Sequence, residues 1–172
     1  DGLYPFGDYT KQGQLDIIYA YYKNDEKDMS LAAAERYARL YPRDKDVDYA
    51  YYMQGLTHFE MGGGWMQNKL GLDRSSRDIT NYKSAYDSFA MVVNRFPKSL
   101  YAEDSYNRIR FIRNLIAKHE YDIAKFYWKR QAYVATANRA SYIIQHFQGA
   151  PEVIPAFGML IRADRKLELN TQ

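Results

Sequence analysis

Residues 98–148 read KSLYAEDSYNRIRFIRNLIAKHEYDIAKFYWKRQAYVATANRASYIIQHFQ and contain neither glycine nor proline. Because these two residues are the strongest helix breakers, their absence over this length predicts helix throughout. Apolar side chains recur at helical spacing in two stripes, Ala102, Tyr106, Ile109, Ile112, Ile116 and Tyr133, Ala137, Ala140, Ile144, Phe147. Each stripe predicts an amphipathic helix, and residues 101–130 could form a single long one.

In the rest of the sequence, no alternating run of β-branched residues indicates a strand. A short motif recurs instead and closes each helix-like segment: Leu3-Tyr4-Pro5, Leu40-Tyr41-Pro42, Arg95-Phe96-Pro97 and the degraded His146-Phe147-Gln148. Its spacings of 37, 55 and 51 residues are unequal. Proline stops a helix because it cannot donate to the preceding carbonyl, so the motif predicts the ends of successive repeat units.

The tetratricopeptide repeat of about 34 residues carries a small residue in its first helix and Ala-x3-Phe before proline in its second. Alignment on Pro97 places the Ala-x3-Phe motif on Ala85 and Phe89. The small packing residue of the first helix is then Gly55, and an insertion follows near 61–78. The predicted fold is therefore an all-α tetratricopeptide-repeat solenoid of antiparallel helix pairs. We expect the end of a first repeat at 1–7, repeats at 8–43, 44–98 and 99–149, and a partial repeat at 150–172.

Composition excludes several functions. The chain has 172 residues and no cysteine, which rules out disulfides, cysteine-ligated metals and thiol catalysis. Its net charge of +3 is too small to indicate nucleic-acid binding, which needs a concentrated basic surface. The longest apolar runs, such as 153–161, are too short to span a membrane. The 18 tyrosines suit helices that are half exposed to water.

Signals of catalysis are weak. No Gly-x-Ser-x-Gly elbow, Walker loop or paired histidine at metal spacing occurs, and His58, His119 and His146 are scattered. We therefore predict no enzymatic activity, no metal site and no cofactor. The charged residues Asp73, Arg74, Arg77 and Asp78 form either a binding site or a loop held by local salt bridges and caps.

Charge is distributed unevenly along the chain. Residues 1–86 hold 11 basic and 13 acidic side chains, whereas residues 87–172 hold 13 and 8. The segment 108–139 contains only two acidic residues, Glu120 and Asp122. Its eight basic residues are Arg108, Arg110, Arg113, Lys118, Lys125, Lys129, Arg130 and Arg139. This segment is either a solvated helical face or a surface that attracts an acidic partner.

Several segments resemble the BamD (ComL) family of outer-membrane assembly lipoproteins. They are YPFG at 4–7, QLDIIYAYYK at 14–23, GLT at 55–57, DRSSRD at 73–78, AKHEY at 117–121 and NR at 138–139. The resemblance covers nearly the whole chain but lacks the family's lipid-bearing N-terminal cysteine. The chain also starts at Asp1, so we expect a soluble fragment of a processed protein.

The resemblance implies a non-catalytic scaffold and receptor of β-barrel assembly on the periplasmic face of the outer membrane. Its implied partners are the periplasmic (POTRA) domain of BamA, other lipoproteins such as BamC, and unfolded outer-membrane proteins. Nucleic acid is not implied, and the membrane contact is the lipid anchor. The alternative is a generic peptide-binding tetratricopeptide adaptor in another envelope complex.

The same resemblance implies two sites. Arg139 matches the family arginine that pairs with a BamA carboxylate, and Arg130 and Tyr127 could flank it. An arginine suits this role because it can hold a carboxylate bidentately. Tyr4 and Phe6 either bind the aromatic C-terminal strand of an unfolded barrel protein or pack between repeats.

Overall fold

The computed structural model describes the backbone of residues 6–64 and 76–170 and the side chains of 10–64 and 79–168. No strand occurs in these ranges. The helices are α1 (Phe6–Lys23), α2 (Lys27–Leu40), α3 (Val47–Met61), α4 (Ser76–Arg95), α5 (Ala102–Lys129), α6 (Tyr133–His146) and α7 (Val153–Asn170). The predicted all-α fold of tetratricopeptide helix pairs is confirmed, and α5 is the long unbroken helix expected near 101–130.

The recurring aromatic marks the same junction three times. Helices α2, α4 and α6 end one residue before Tyr41, Phe96 and Phe147. At each junction the aromatic's backbone N–H donates to the carbonyl four residues earlier, at 2.9–3.0 Å. The aromatic's own carbonyl then accepts from the N–H three residues later, at 2.9–3.1 Å. The motif therefore ends a helix and starts the turn into the next one, as the sequence predicted. The repeat boundaries themselves stay a prediction.

The α1–α2 and α5–α6 turns have a different shared geometry. Glu26 N–H donates to the Tyr21 carbonyl at 2.9 Å, and Ala132 N–H donates to the Tyr127 carbonyl at 3.0 Å. The residues before them, Asp25 and Gln131, have φ of 64° and 60°. Both turns are Schellman motifs, in which a left-handed residue ends the helix and is usually glycine.

Gln131→Gly should raise the free energy of unfolding by about 1 kcal/mol, because glycine adopts a left-handed conformation without the strain of a side chain. Thermal unfolding followed by circular dichroism measures the change. Gln131→Ala is the control, since it shortens the side chain but keeps the Cβ atom. If alanine stabilises the chain as much as glycine, backbone strain at Gln131 is not the cause.

The chain forms two compact units, one through Ile109 and one from Arg110. In the first, α1 and α2 pack on each other and on α3, and α3 packs on α4. The core around α1–α3 includes the buried residues Leu15, Ile18, Ala34, Tyr37, Ala38, Val47, Ala50 and Met53. A Cβ atom on Gly55 would lie 2.6 Å from the Phe89 ring, which confirms Gly55 as the small packing residue of its pair.

In the second unit, α6 packs on α7. Its buried apolar side chains include Ile112, Leu115, Ile116, Ala124, Ala140, Ile143, Phe147, Ala156 and Met159. Among the described residues, no helix is long and apolar enough to cross a membrane.

One part of the predicted stripe on α5 is wrong. Tyr106 is 53% exposed, and the neighbouring Ser105 is fully buried instead. Tyrosine is amphipathic, so its presence at an apolar spacing does not fix the buried face. Most of the predicted insertion at 61–78 lies outside the described residues. Helix α3 ends at Met61 and α4 begins at Ser76.

Candidate protein-binding site around Arg139

Arg139 lies on α6 and pairs with Glu120 on α5. Its Nη1 atom donates to Glu120 Oε2 at 2.6 Å. The two side chains differ in exposure, because Glu120 is 7% exposed and Arg139 is 35% exposed. The pair therefore spans from the interior to the surface, with the carboxylate inside and the guanidinium at the boundary.

The position of Glu120 follows from the sequence of α5. It comes four residues after Ile116 and four before Ala124, and both neighbours are buried. Residues at this spacing share one face of a helix, so Glu120 faces the interior. A buried carboxylate is costly unless it is paired, and Arg139 supplies the countercharge.

Arg139 keeps donors for a further partner. A guanidinium has five N–H groups in a planar fork. Within the part of the chain that the structure describes, the bond to Glu120 is the sole hydrogen bond from this guanidinium. Nε and Nη2 are thus open to a second acceptor at the partly exposed surface. Glu120 also restrains the rotamer, so an incoming carboxylate would meet a preorganised arginine.

Tyr127 and Arg130 lie at the end of α5, where the Schellman turn begins. The Tyr127 carbonyl accepts from both the Arg130 and Ala132 N–H groups, at 3.1 and 3.0 Å. Both side chains are arranged around Phe126, which is 50% exposed. The Arg130 guanidinium carbon lies 4.1 Å from the Phe126 centroid, and the Tyr127 ring meets Phe126 edge to face at 5.8 Å. Together they form an exposed aromatic and cationic cluster.

The structure brings Tyr127 and Arg130 together around Phe126, whereas Arg139 contacts Glu120, which is earlier in α5. Glu120 precedes Tyr127 by seven residues, which corresponds to about 10 Å along a helix. Tyr127 thus lies about two helical turns along α5 from the residue that holds Arg139, and its place beside Arg139 stays a prediction. A partner surface that touches all three residues must extend over about two helical turns.

Fewer basic side chains of the segment 108–139 are available to a partner than its composition indicates. Several of its cations already have intramolecular contacts in the second unit. Arg113 donates to the carbonyls of Gln148 and Gly149 at 3.2 and 3.1 Å, and Lys125 pairs with Asp122 at 2.6 Å. Arg110, Lys118 and Lys129 are exposed. Part of the positive charge therefore stabilises the fold.

The side chains of the predicted peptide-binding residues lie outside the described part of the chain. Tyr4 lies outside the described residues, and Phe6 begins α1 but its side chain is outside them too. The same holds for the side chains of Asp73, Arg74, Arg77 and Asp78. In the described ranges, no three histidine or carboxylate side chains gather as metal ligands would.

Glu120 was missed as a functional partner, although the sequence contains its signal. It is one of two acidic residues in a basic segment, and it falls on the buried spacing of α5. An acidic residue at such a position needs a cation from a neighbouring helix. The sequence does not indicate which of the nearby basic residues supplies it.

Comparison with known proteins agrees with this architecture. Residues 1–172 match the model of the YfiO family, which is described as outer membrane lipoprotein. The chain is 42% identical over 170 residues to the outer membrane protein assembly factor BamD of Vibrio cholerae serotype O1, covering 99% of the chain and 70% of that protein. It is 40% identical over 168 residues to the BamD of Neisseria gonorrhoeae, covering 98% and 63%.

The BamD of Pasteurella multocida is 36% identical over 167 residues, which cover 97% of the chain and 64% of the relative. The chain thus spans about two thirds of the length of these relatives. Since the family model covers every residue, the chain belongs to the YfiO family of outer membrane lipoproteins.

Proposed function

We propose that this chain is a non-catalytic scaffold and receptor subunit of the machinery that assembles β-barrel proteins in the outer membrane. Relatives at 36–42% identity bear the name outer membrane protein assembly factor. The specific contact in this proposal is between Arg139 and a carboxylate on the periplasmic POTRA domain of BamA.

The observation that carries the proposal is the partly exposed Arg139 held by the buried Glu120. Arginine binds carboxylates through two parallel N–H groups, and Nε and Nη2 present that geometry. The intramolecular bond reduces the side-chain entropy that Arg139 loses when a partner binds. The surrounding positive charge accelerates the approach of an acidic surface.

The cluster of Phe126, Tyr127 and Arg130 extends this surface in the proposal. Aromatic and arginine side chains are enriched where proteins bind one another. Phe126 supplies exposed apolar area, and Arg130 covers its face. We assign Tyr127 and Arg130 to the edge of the BamA contact and Arg139 to a separate polar contact.

The remaining partners follow from the same assignment. We propose that the N-terminal half contacts other lipoproteins such as BamC, and that Tyr4 and Phe6 receive the C-terminal strand of unfolded barrel proteins. The full-length protein would be attached to the periplasmic face of the outer membrane by an N-terminal lipid. No cofactor takes part in this function.

Two variants that break the same ion pair test the proposal. Arg139→Gln should weaken binding of the BamA POTRA domains at least about tenfold, which corresponds to about 1.4 kcal/mol. Glu120→Gln should weaken binding much less, by about threefold or below, because the guanidinium remains and only its preorganisation is reduced. Isothermal titration calorimetry measures both affinities, and urea unfolding gives the stability of each variant.

If the two variants lose affinity equally, the pair acts through folding and Arg139 is not the contact. A pull-down from envelope extract then distinguishes the adaptor alternative. Recovery of the barrel-assembly complex supports the proposal. Recovery of a different envelope complex without BamA supports a generic peptide-binding adaptor.

A further inference from the structure

The first unit contains an open pocket of about 350 Å³. The middle of α1, the turn before α3 with the first turn of that helix, and the turn before α5 contribute its walls. Its aromatic and charged lining consists of Asp16, Tyr19, Lys45, Asp46, Tyr49 and Tyr101. The volume lies within the range of pockets that bind small groups.

Tyrosine rings form the fixed part of this pocket. The Tyr49 and Tyr101 centroids are 5.7 Å apart, and Tyr52 stacks behind Tyr101 at 4.6 Å. The Tyr52 hydroxyl donates to Asp104 Oδ2 at 2.8 Å, which anchors this stack to α5. Tyr19 is 51% exposed and lines the same pocket. The aromatic faces are therefore partly preorganised before any ligand arrives.

The carboxylates make the pocket electronegative. Asp16 accepts a hydrogen bond from Gln12 Nε2 at 2.9 Å through Oδ1, and Oδ2 has no partner in the described residues. Lys45 Nζ lies 3.9 Å from Asp46 Oδ2 and is 87% exposed, so it neutralises Asp46 only weakly. Burial, with smaller effects from Tyr101, Tyr19 and Asp16, raises the pKa of Tyr49 to about 12. The phenol is neutral at physiological pH.

We propose that this pocket binds an arginine side chain of a partner polypeptide. Aromatic faces attract a cation through their quadrupoles, and a guanidinium can also stack flat on a tyrosine ring. Asp16 and Asp46 supply the opposite charge at the edge of the rings. A neutral or acidic group would lose both interactions. This site is in the other unit from Arg139, and the inference does not depend on the function proposed for Arg139.

Lysine fits the pocket less well than arginine. An ammonium is a compact, strongly hydrated charge and cannot stack its plane on Tyr49 or Tyr101. Lys45 at the rim repels either cation. It therefore allows a test in which removing a positive charge and removing a negative charge should change the affinity in opposite directions. Removal of its charge should tighten binding, whereas removal of an aspartate charge should weaken it.

The test is titration of the ¹⁵N-labelled chain with the peptide acetyl-Gly-Arg-Gly-amide, monitored by NMR. The control peptide carries citrulline, which has nearly the same shape as arginine but no charge. We expect a dissociation constant on the order of 1 mM for the arginine peptide, with shifts at the backbone amides of Asp16, Tyr49 and Tyr101. Asp16→Asn and Asp46→Asn should each weaken it about threefold, and Lys45→Gln should strengthen it about twofold.

Asp87→Asn is the matched charge control, because Asp87 is an exposed aspartate on α4 that does not line the pocket. It should leave the affinity unchanged. Equal binding of arginine and citrulline peptides would overturn the proposal. So would shifts confined to residues outside the pocket, no shifts at 10 mM peptide, or equal effects of Asp16→Asn and Asp87→Asn.

Discussion

Gly55→Ala should lower the free energy of unfolding by about 2 kcal/mol, although alanine usually stabilises a helix. A Cβ atom at this position would lie 2.6, 2.7 and 2.9 Å from three carbons of the Phe89 ring. Phe89 is fully buried, so the ring cannot move into solvent. Relief of the clash therefore requires α3 and α4 to separate or Phe89 to leave its rotamer.

Gly13→Ala is the matched control. Gly13 also lies within a helix, but a Cβ atom there would meet no other atom within 4 Å. This substitution should raise the free energy of unfolding by about 0.5–1 kcal/mol, because alanine loses less backbone entropy than glycine when a helix forms.

Urea unfolding of both glycine variants, followed by far-ultraviolet circular dichroism, compares the two effects. Phe89→Leu removes the ring atoms that a Cβ on residue 55 would meet. In that background Gly55→Ala should lower the free energy of unfolding by a smaller amount. A double-mutant cycle measures this difference as a coupling energy between the two positions. Stabilisation by Gly55→Ala would show that α3 and α4 are not packed as closely as described.

Asp44→Asn should lower the free energy of unfolding by about 2 kcal/mol, because hydrogen bonds to a charged group are lost or weakened at a nearly buried site. The Asp44 carboxylate accepts from Lys11 Nζ at 2.8 Å and from the Tyr37 hydroxyl at 2.9 Å. It also accepts from the Asp46 backbone N–H at 3.1 Å. Asp44 therefore ties α1 and α2 to the turn that leads into α3.

The pH dependence follows from the same contacts. The hydrogen bond from Lys11 is the largest cause that holds the pKa of Asp44 below its ordinary value of 3.8. The folded state thus favours the ionised carboxylate, and its stabilisation is fully present above pH 3.8. It is lost as the pH falls through the lowered pKa of the folded state.

Urea unfolding at pH 7 and at several values below pH 4 tests this account. The stability difference between the unsubstituted chain and Asp44→Asn should be largest at pH 7 and shrink at the acid end. Asp87→Asn should show little difference at any pH, since Asp87 is exposed. A difference between Asp44→Asn and the unsubstituted chain that stays constant through the acid range would contradict the role of the charge.

Helix ends could be predicted from the sequence because they depend on local chemistry, and Gly55 could be predicted because it occupies a fixed place in the repeat motif. Pro42 and Pro97 cannot continue a helix, and the aromatic before each of them occupies an equivalent junction. Phe147 occupies the third such junction without a proline. Gly55 was predictable because the repeat motif requires a small residue in its first helix, although the Phe89 ring that it faces comes from a different helix. The helix ends need no knowledge of distant contacts.

The partners of charged residues could not be predicted in the same way. The Arg139–Glu120 and Lys11–Asp44 pairs join residues 19 and 33 positions apart. Their selection depends on how the helices rotate about their axes, which the apolar spacing fixes only coarsely. The exposed Tyr106 shows the same limit, because tyrosine is compatible with either side of an amphipathic helix.

The candidate sites were also only partly predictable from the sequence. The sequence indicated Arg139 through its resemblance to a family, but the buried Glu120 that holds it appears only in the structure. The pocket at Asp16, Tyr49 and Tyr101 combines residues from three separate segments. No spacing in the sequence brings them together. Long-range geometry, rather than motif content, defines both surfaces.

Reciprocal charge reversal tests the central claim that Arg139 binds a carboxylate of BamA. The experiment uses the Glu120→Gln background, so that a glutamate at position 139 does not face a buried carboxylate. Calorimetry with the BamA POTRA domains should show no detectable binding after Arg139→Glu. Binding should return when the facing BamA carboxylate is replaced by lysine. Unchanged affinity after Arg139→Glu, or no recovery with the lysine variant of BamA while both proteins stay folded, would contradict the claim.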